Sequence, residues 1–301
     1  MRARTVLVAD IGKTTTRLAV WTNGVAFEPA LAPGIAGLAA DGGTAAAAER
    51  LQDCFDRISP RGYDAIAIGV AGAIAAPHAA DELAHLLAAR WKAPTCVTSD
   101  VVTAHLGALS GGAGTILVAG TGAVAWSISD TGEHRLADGR GPELGDLGSG
   151  YWIGRAGMRA ALRALEGAGA ATALAALWRS RQESIPDASA SPGDADAIAR
   201  VAGFARTVLE SAAAGDVVAG EIVTLAIDEL VATAVSASEP EDPVATLGGL
   251  THDEHFRDLL HDALRAAGRR PQSPAGTALD GAAIAATAAG LPHERLLHRV
   301  A

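Results

Sequence analysis

The chain has 301 residues, a hydrophobic fraction of 49% and a formal net charge of −10. That length favours two domains, and the acidic balance disfavours a protein that binds the phosphate backbone of nucleic acid. Cys54 and Cys96 lie far apart without a CxxC pair, so no zinc site, iron–sulfur site or disulfide framework is indicated. Because Asp10 ends the first apolar run and no apolar run of about 20 residues follows, we expect no signal peptide, no transmembrane helix and a cytoplasmic protein.

The first third of the chain alternates strands and helices. Residues 4–10 are apolar and β-branched, which predicts a buried strand, and residues 17–22 predict its hairpin partner, closed by Asn23-Gly24. The apolar spacing then predicts, in chain order, a helix at 44–58, a strand in YDAIAIGVAG, a helix at 79–91, a strand in PTCVTSD and a helix in VVTAHLGAL.

The remainder repeats this order with additional helices. The predicted elements are a second hairpin at 115–136, helices over 149–236 with a surface loop at 184–196, a strand in PVATLGGL, a helix at 253–267 and a small-residue helix at 280–290.

This double alternation is typical of an α/β fold with two related domains and a cleft between them. We place the first domain at 1–104 and the second at 105–283, and we expect a C-terminal helix at 284–301 to return to the first domain.

The two hairpins share one design. Leu7-Val8-Ala9 recurs as Leu117-Val118-Ala119, and Gly12 aligns with Gly122. Glycine-rich turns expose consecutive backbone N–H groups, and such concavities bind anions, so two of them could hold the phosphates of one nucleotide. A single Gly-x-Gly hairpin is more often only a tight turn, but its repetition at a matched offset favours phosphate binding.

The side chains of these hairpins suit the same chemistry. Asp10 ends the first strand and could hold Mg²⁺, Lys13 adds a positive charge, and Thr14 begins a run of hydroxyls. Thr121 in the second hairpin could donate to the phosphate that is transferred.

At this point the sequence resembles the actin-like ATPase fold of sugar kinases and heat-shock chaperones, and within it the N-acetylglucosamine kinase branch of the BadF/BadG/BcrA/BcrD ATPases. DIGKTTTR is similar to the first phosphate motif of that family, D-G-G-G-T-x-T, and AGTGAVAW to its second, G-T-G-S. SDVVTAHLGAL is similar to N-D-x-x-A-x-x-G-A, TLGGL to V-G-G-V, and AAAGDVVAGEI to A-x-x-G-D-x-x-A. GRGPELGDLGSGYWIGR resembles G-W-G-x-x-x-G-D-E-G-S-x-Y-W-I-G, and GDLGSGYWIG is the most specific part of the match.

The resemblance spans nearly the whole chain and implies two actin-like, ribonuclease H-like domains with a nucleotide cleft between them. It also implies roles for individual residues. Asp100 would be the general base on a sugar hydroxyl. Asp146 would bind sugar hydroxyls, with Gly145 keeping the backbone close. The residues implied to contact Mg·ATP are Asp10, Gly12 and Thr14, those holding phosphates are Gly120, Thr121 and Gly122, and those facing the nucleoside are Ala214, Gly248 and Gly249.

The sequence also departs from the family pattern. Ile11 and Lys13 replace glycines of the first motif, and Ala123 replaces the usual serine. Arg140 and Leu147 replace a tryptophan and a glutamate of the signature, and the early asparagine that contacts an acetamido sugar has no clear counterpart. The resemblance therefore implies an ATP-dependent enzyme but leaves the sugar open.

Three motifs have a structural alternative. Asp100 could serve only as a helix N-cap, and Asp146 could serve only to shape a turn. The four residues at 252–255, HDEH, could contribute to a metal site, but a charged helix start explains them more simply. Trp152 and Tyr151 are expected to pack in a core rather than stack on a sugar.

We therefore expect an ATP- and Mg²⁺-dependent kinase that phosphorylates N-acetylglucosamine or glucosamine at the 6-hydroxyl. The alternatives are an ATP-binding regulatory switch of the same fold, and a kinase of another sugar such as an anhydro-sugar. The expected partners are a small sugar substrate and a second copy of the chain in a homodimer, with neither nucleic acid nor membrane.

Overall fold

The computed structural model describes residues 4–60, 62–181 and 195–301. The predicted loop at 184–196 lies outside these ranges except for its last two residues, which begin a helix. None of the described helices is long and apolar enough to cross a membrane.

The described chain contains twelve strands and ten α-helices. The strands are β1 (Thr5–Ile11), β2 (Thr15–Thr22), β3 (Val25–Ala26), β4 (Ala30–Pro33), β5 (Ala65–Val70), β6 (Thr95–Thr98), β7 (Gly114–Ala119), β8 (Ala123–Ile128), β9 (His134–Asp138), β10 (Pro243–Leu247), β11 (Arg270–Gln272) and β12 (His298–Val300). The helices are α1 (Gly43–Ile58), α2 (Pro77–Trp91), α3 (Asp100–Ala108), α4 (Gly150–Leu165), α5 (Leu174–Arg181), α6 (Ala195–Gly203), α7 (Ala205–Ala213), α8 (Val217–Ala237), α9 (Glu254–Ala266) and α10 (Ala278–Thr287).

The chain divides into two compact units. The first comprises Met1–Ala113, Ile128–His134 and Pro274–Ala301, and the second comprises Gly114–Ser127 and Arg135–Ser273. These bounds differ from the expected domain bounds of 104 and 283 by about ten residues.

The first unit is built on a seven-stranded sheet in the order β12-β6-β5-β1-β2-β3, with β4 beside β2. The strands β1, β5 and β6 run parallel, and β2 is antiparallel to β1. Every residue of β5 is buried, because helices cover both faces of the central strands, and this explains its continuous apolar sequence. The core of this unit includes Leu7, Leu51 and Leu83.

The second unit repeats the arrangement in a five-stranded sheet, β11-β10-β7-β8-β9. Here β7, β10 and β11 run parallel, as β1, β5 and β6 do in the first sheet, and β8 follows β7 in the position that β2 has after β1. The predicted α/β fold with two related halves is therefore confirmed, and the repeated sequence corresponds to a repeated sheet order. The core of the second unit includes Leu117, Phe204 and Phe256.

The C-terminal segment corrects the predicted helix at 284–301. Helix α10 ends at Thr287, where Ala288 adopts an extended conformation, and Gly290 and Pro292 follow before β12 pairs antiparallel with β6. This segment is also bonded to the end of β6, the strand that leads into α3, because Thr98 Oγ1 donates to Leu296 O at 2.7 Å.

The small-residue helix α10 packs directly on α3. Gly281 is required at the contact, because a Cβ there would collide with the carbonyl oxygen of Thr103. Two buried imidazoles add a further link between α3 and the C-terminal segment, with Nε2 of His293 lying 2.9 Å from Nδ1 of His105. Helix α3, which begins at Asp100, is thus packed against α10 and linked to the C-terminal segment.

Candidate active site

Two carboxylates of the first unit lie at one edge of its sheet. Asp10 is near the end of β1, and Asp100 follows β6 as the first residue of α3. Because β1, β5 and β6 are parallel, their carboxyl ends lie at the same edge, where open α/β sheets bind ligands. The topology therefore brings together two residues that are 90 positions apart in sequence.

The Asp10 carboxylate is mostly enclosed. Its side chain is 18% exposed, and Oδ2 lies 3.9 Å from Nη1 of Arg17, which is its cross-strand partner. Burial, together with the negative charge of Asp100, raises the pKa of Asp10 to about 6, and the charge of Arg17 opposes this shift. Holding this carboxylate ionised near another one costs free energy that a bound cation would offset.

Asp100 is partly buried, and its Oδ1 accepts hydrogen bonds from Ser99 Oγ and Val101 N, both at 2.9 Å. Burial raises the pKa of Asp100, while these hydrogen bonds and the charge of Lys13 oppose the rise. Ser99, and not Asp100, occupies the N-cap position of α3. Ser99 makes no side-chain cap bond, and Asp100 Oδ1 accepts from Val101 N in the first turn, so Asp100 contributes to the start of α3 in either reading.

The first glycine-rich loop is braced by a segment that the sequence did not indicate. Gly12 N donates to Thr15 O at 3.0 Å, which closes the turn between β1 and β2. Gly34 N donates to Thr14 O at 2.9 Å, and Ile35 N donates to Gly12 O at 3.2 Å. The Lys13 and Thr14 side chains remain exposed on this braced loop.

The donors at this edge fit a hard divalent cation. Carboxylate and hydroxyl oxygens are the ligands that Mg²⁺ prefers, and it commonly takes one or two carboxylates and completes its shell with water and phosphate oxygens. Among the described residues, no group of three or more His, Cys, Asp or Glu side chains could hold a metal by itself. Asp10 therefore fits a Mg²⁺ that arrives with a nucleotide rather than a metal caged by protein alone.

In the second unit, residues 120–122 form the turn between β7 and β8, and Gly120 N donates to Gly122 O at 2.9 Å. The N-terminus of α4 supports this turn, because Gly150 N donates to Gly120 O at 2.7 Å and Tyr151 N to Thr121 O at 3.1 Å. The specific part of the signature, GDLGSGYWIG, is thus largely the scaffold of the second loop.

The glycine pair after β10 supports the same turn from another side. Gly248 has a φ of +101°, and a Cβ there would collide with the carbonyl oxygen of Ala119. Trp152 is partly buried against the core of the second unit, as expected.

A cavity of about 610 Å³ opens beside the second loop. Thr121 and Gly249, two of the residues expected to contact a nucleotide, line this cavity. The other lining residues come mostly from α6, α7 and the 3-10 helix Gly249–His252, and they include Ala199, Ala202, Gly203, Arg206, Leu209, Leu250 and His252. Small and apolar side chains make up most of this set, which suits the flat faces of a nucleoside.

Ala214 does not share this cavity. It is exposed in the turn between α7 and α8 and lines a separate depression with Leu177 and Asp216. The structure thus separates Ala214 from Thr121 and Gly249, and it offers residues of α6 and α7 that sequence reasoning missed. Their positions carried no motif, because alanine and glycine in a helical stretch are read as ordinary helix residues.

Asp146 lies against the second loop. Its backbone φ is +54°, its Oδ1 accepts from Ala123 N at 3.3 Å, and its Oδ2 lies 2.8 Å from the place that a Cβ of Gly122 would occupy. The neighbouring Gly145 is buried. Asp146 therefore does shape the backbone locally, and it also places a carboxylate beside the glycine-rich turn at 120–122.

The HDEH stretch behaves as a helix start. Asp253 caps α9, because its Oδ1 accepts from Phe256 N at 2.9 Å. His252 lines the cavity beside the second loop, and no metal cluster includes these residues among the described part of the chain.

Comparison with known proteins agrees with this geometry. The sequence matches the model of the BadF/BadG/BcrA/BcrD ATPase family over residues 10–286. The chain belongs to that family. The match includes both glycine-rich loops, Asp100 and Asp146, so the resemblance drawn from the motifs is confirmed. No curated protein sequence matches the chain.

Solved structures share the fold along almost the whole chain. A candidate N-acetylglucosamine kinase from Chromobacterium violaceum is 27% identical with a TM-score of 0.65, over 93% of this chain and 97% of that one. A candidate N-acetylglucosamine kinase from Porphyromonas gingivalis is 18% identical with a TM-score of 0.68, over 92% and 96%. A ROK family glucokinase from Streptomyces griseus, solved with glucose and AMPPNP, is 17% identical with a TM-score of 0.56, over 94% and 99%.

Proposed function

We propose that this protein is an ATP-dependent sugar kinase that transfers the γ-phosphoryl group to a hydroxyl of an amino sugar. The observation that carries the proposal is Asp100, a partly buried carboxylate at the sheet edge that also holds Asp10. Its raised pKa makes it a stronger proton acceptor than an exposed aspartate. Its Oδ1 accepts from Ser99 Oγ and Val101 N, and in this proposal Oδ2 takes the proton of the substrate hydroxyl.

In the proposed reaction, Asp100 accepts the proton of the sugar hydroxyl as the hydroxyl oxygen forms a bond to the γ-phosphorus. The bond between that phosphorus and the β,γ-bridging oxygen breaks, and ADP leaves with the electron pair. Bound Mg²⁺ would neutralise charge on the phosphates, and Asp10 is the residue that would hold it. Lys13 and Thr14 offer a charge and a hydroxyl to the same phosphates.

The second unit supplies the nucleotide site in this proposal. The braced turn at 120–122 presents backbone N–H groups and the exposed Thr121 hydroxyl, and the adjoining cavity has room for a nucleoside. We assign Gly248 and Gly249 to the nucleoside side. Ala214 is not assigned there, because it lies in another depression.

We assign the sugar hydroxyls to Asp146, and we favour N-acetylglucosamine or glucosamine phosphorylated at the 6-hydroxyl. The support is the 27% identical structure, which is described as a candidate N-acetylglucosamine kinase. Arg140 and Leu147, which replace signature residues, are both exposed near Asp146, so another sugar such as an anhydro-sugar is the second choice. The homodimer and the cytoplasmic location stay predictions.

The proposal is tested by ADP release in a coupled assay with Mg·ATP and a panel of amino sugars, neutral hexoses and anhydro-sugars. We expect slow ATP turnover alone and strong stimulation by at least one amino sugar. A regulatory switch would instead bind ATP and turn it over slowly whichever sugar is present. Calorimetry with ATP, with and without Mg²⁺, gives the reference, and absence of nucleotide binding would remove the kinase proposal.

Filling the cavity beside the second loop should weaken ATP binding. Ala202 lines this cavity, and leucine in its place would occupy part of the nucleoside volume. Overpacking of this kind costs about 1–3 kcal/mol, so the ATP Kd should rise by about 5- to 150-fold while the sugar KM changes little. Isothermal titration calorimetry measures the ATP Kd directly.

The matched control is Ala214→Leu, which adds the same side chain at the position that the sequence alone assigned to the nucleoside. We expect an ATP Kd close to that of the wild type. The opposite pattern, with Ala214→Leu harmful and Ala202→Leu neutral, would place the nucleoside in the other depression.

A further inference from the structure

Asp138, which none of the motifs singled out, clamps the turn that carries Asp146. It is the last residue of β9, and its carboxylate accepts from two successive backbone N–H groups. Oδ1 accepts from Asp146 N at 2.7 Å, and Oδ2 accepts from Leu147 N at 2.8 Å. A carboxylate bound to two consecutive N–H groups fixes the orientation of their peptide plane, and bonds to charged acceptors are among the stronger ones.

Gly145 is explained by the same clamp. A Cβ at this position would collide with Oδ1 of Asp138, so a larger residue would displace the carboxylate from the turn. Asp138 and Asp146 both have positive φ, +61° and +54°, a conformation that costs free energy for residues other than glycine. The hydrogen bonds of the clamp offset that cost and hold the turn in one geometry.

The clamp continues into the second phosphate loop. Ala123, the first residue after the loop, has both backbone groups bound to this region. Its N–H donates to Asp146 Oδ1 at 3.3 Å, and its carbonyl oxygen accepts from Gly139 N at 3.0 Å. Asp138, Gly139, Ala123 and Asp146 thus form a closed ring of chain connections and hydrogen bonds.

We propose that Asp138 is a positioning residue that holds the Asp146 carboxylate at a fixed place beside the loop 120–122. The inference rests on the proposed function, in which Asp146 binds the sugar and this loop binds phosphate. In this arrangement Asp146 has two tasks, because one carboxylate oxygen anchors Ala123 while the group as a whole faces the sugar. A sugar bound at Asp146 is then connected to the phosphate-binding loop through the hydrogen bond between Asp146 Oδ1 and Ala123 N.

The test is Asp138→Asn, which keeps the size of the side chain but replaces one acceptor oxygen by an NH₂ group that faces a backbone N–H. We expect the sugar KM to rise by about tenfold and the ATP KM to rise less, because the loop keeps its hydrogen bonds from Gly150 N and Tyr151 N. Asp146→Ala should give a sugar KM at least as high, because it removes the positioned group itself.

The matched control is Asp216→Asn. Asp216 also accepts from two backbone N–H groups, Ala219 N at 2.9 Å and Ala173 N at 2.7 Å, but it lies beside the separate depression. The Asp216→Asn variant should have a lower melting temperature and an unchanged sugar KM. A sugar KM that is unchanged in Asp138→Asn, or raised equally in Asp216→Asn, would overturn the positioning role.

Hydrogen exchange gives a readout that needs no sugar. In Asp138→Asn, exchange should accelerate both in the turn at 143–150 and in the loop at 120–125, and Asp216→Asn should leave both segments protected. If the wild type phosphorylates no sugar, the proposed function fails, and exchange still decides whether the clamp reaches the loop. Acceleration confined to 143–150 would overturn the proposal. If Asp138→Asn does not fold, Gly145→Ala disturbs the same contact and should show the same pattern.

Discussion

Asp100→Asn is expected to lower kcat by about 10²–10⁴ while the fold and ATP affinity are retained, because removal of a general base commonly costs that much. The substitution keeps the shape of the side chain, and asparagine Oδ1 can still accept from Ser99 Oγ and Val101 N. The change therefore removes the basic oxygen and leaves the local hydrogen bonds in place. The measurement is kcat at saturating sugar and ATP, with a melting curve for each variant.

Asp216→Asn also serves as the control for this experiment, because Asp216 is a true N-cap, with its side chain accepting from Ala219 N. An effect through helix capping should appear there as well, and we expect it to leave kcat unchanged. If Asp100→Asn stays within about fivefold of the wild type, Asp100 is not the base. Asp146 would then be the next carboxylate to examine.

Asp10→Asn is expected to lower activity and raise stability together. Removing one preorganised charged group at a phosphoryl-transfer site costs about 10²–10³ in kcat. The same carboxylate is mostly buried, and its pKa of about 6 shows that the ionised form is disfavoured in the folded protein. Without metal, asparagine should therefore raise the free energy of unfolding by about 1–3 kcal/mol above about pH 7.

The pH dependence has a definite sign. Below the ordinary pKa of 3.8, folded and unfolded chains both hold the proton, and the carboxyl has no effect on stability. Between 3.8 and about 6 the unfolded chain ionises first, so stability falls as the pH rises, and it stays lower above that interval. Asp10→Asn should remove this fall, which urea unfolding in the presence of a chelator would measure at several pH values.

Asp64→Asn is the control for Asp10→Asn. Asp64 is exposed at the opposite end of β1, where its Oδ2 accepts from Thr5 N at 2.8 Å. This variant should gain no stability and should retain activity. A lower stability of Asp10→Asn above about pH 7 in metal-free buffer would show that the ionised carboxylate is stabilised there by its partners.

The central strands could be predicted from sequence because burial on both faces leaves a continuous apolar run. Most helices could be predicted because their apolar residues recur at helical spacing. β1 and β5 are such runs, and the repeated Leu-Val-Ala marks equivalent strands of the two sheets. The short edge strands could not be predicted in this way. In β9, the first three residues are exposed, so HRLAD has no alternation that distinguishes it from a loop.

The residues of the candidate site likewise fall into a group that could be predicted from sequence and a group that could not. Residues in glycine-rich turns were predicted, since backbone approach restricts the residue types that such turns accept. The residues that support them were missed. Gly34 donates from its backbone to Thr14 in an earlier turn, and Asp138 accepts through its side chain from backbone N–H groups of a later turn. Neither contact leaves a residue pattern in the sequence. Ala214 was assigned through its motif alone, and only the packing of α6 and α7 shows which alanines line the cavity.

The measurement that tests the kinase proposal most directly follows the γ-phosphoryl group of ATP labelled with ¹⁸O at its non-bridging γ-oxygens. The protein is incubated with Mg²⁺, labelled ATP and N-acetylglucosamine or glucosamine, and the products are analysed by mass spectrometry. The proposal predicts a sugar monophosphate that carries the label, in equal amount to the ADP formed, and neither product in quantity with Asp100→Asn. Label found only in inorganic phosphate would contradict the proposal. The same rate of ADP formation with and without each sugar would also contradict it.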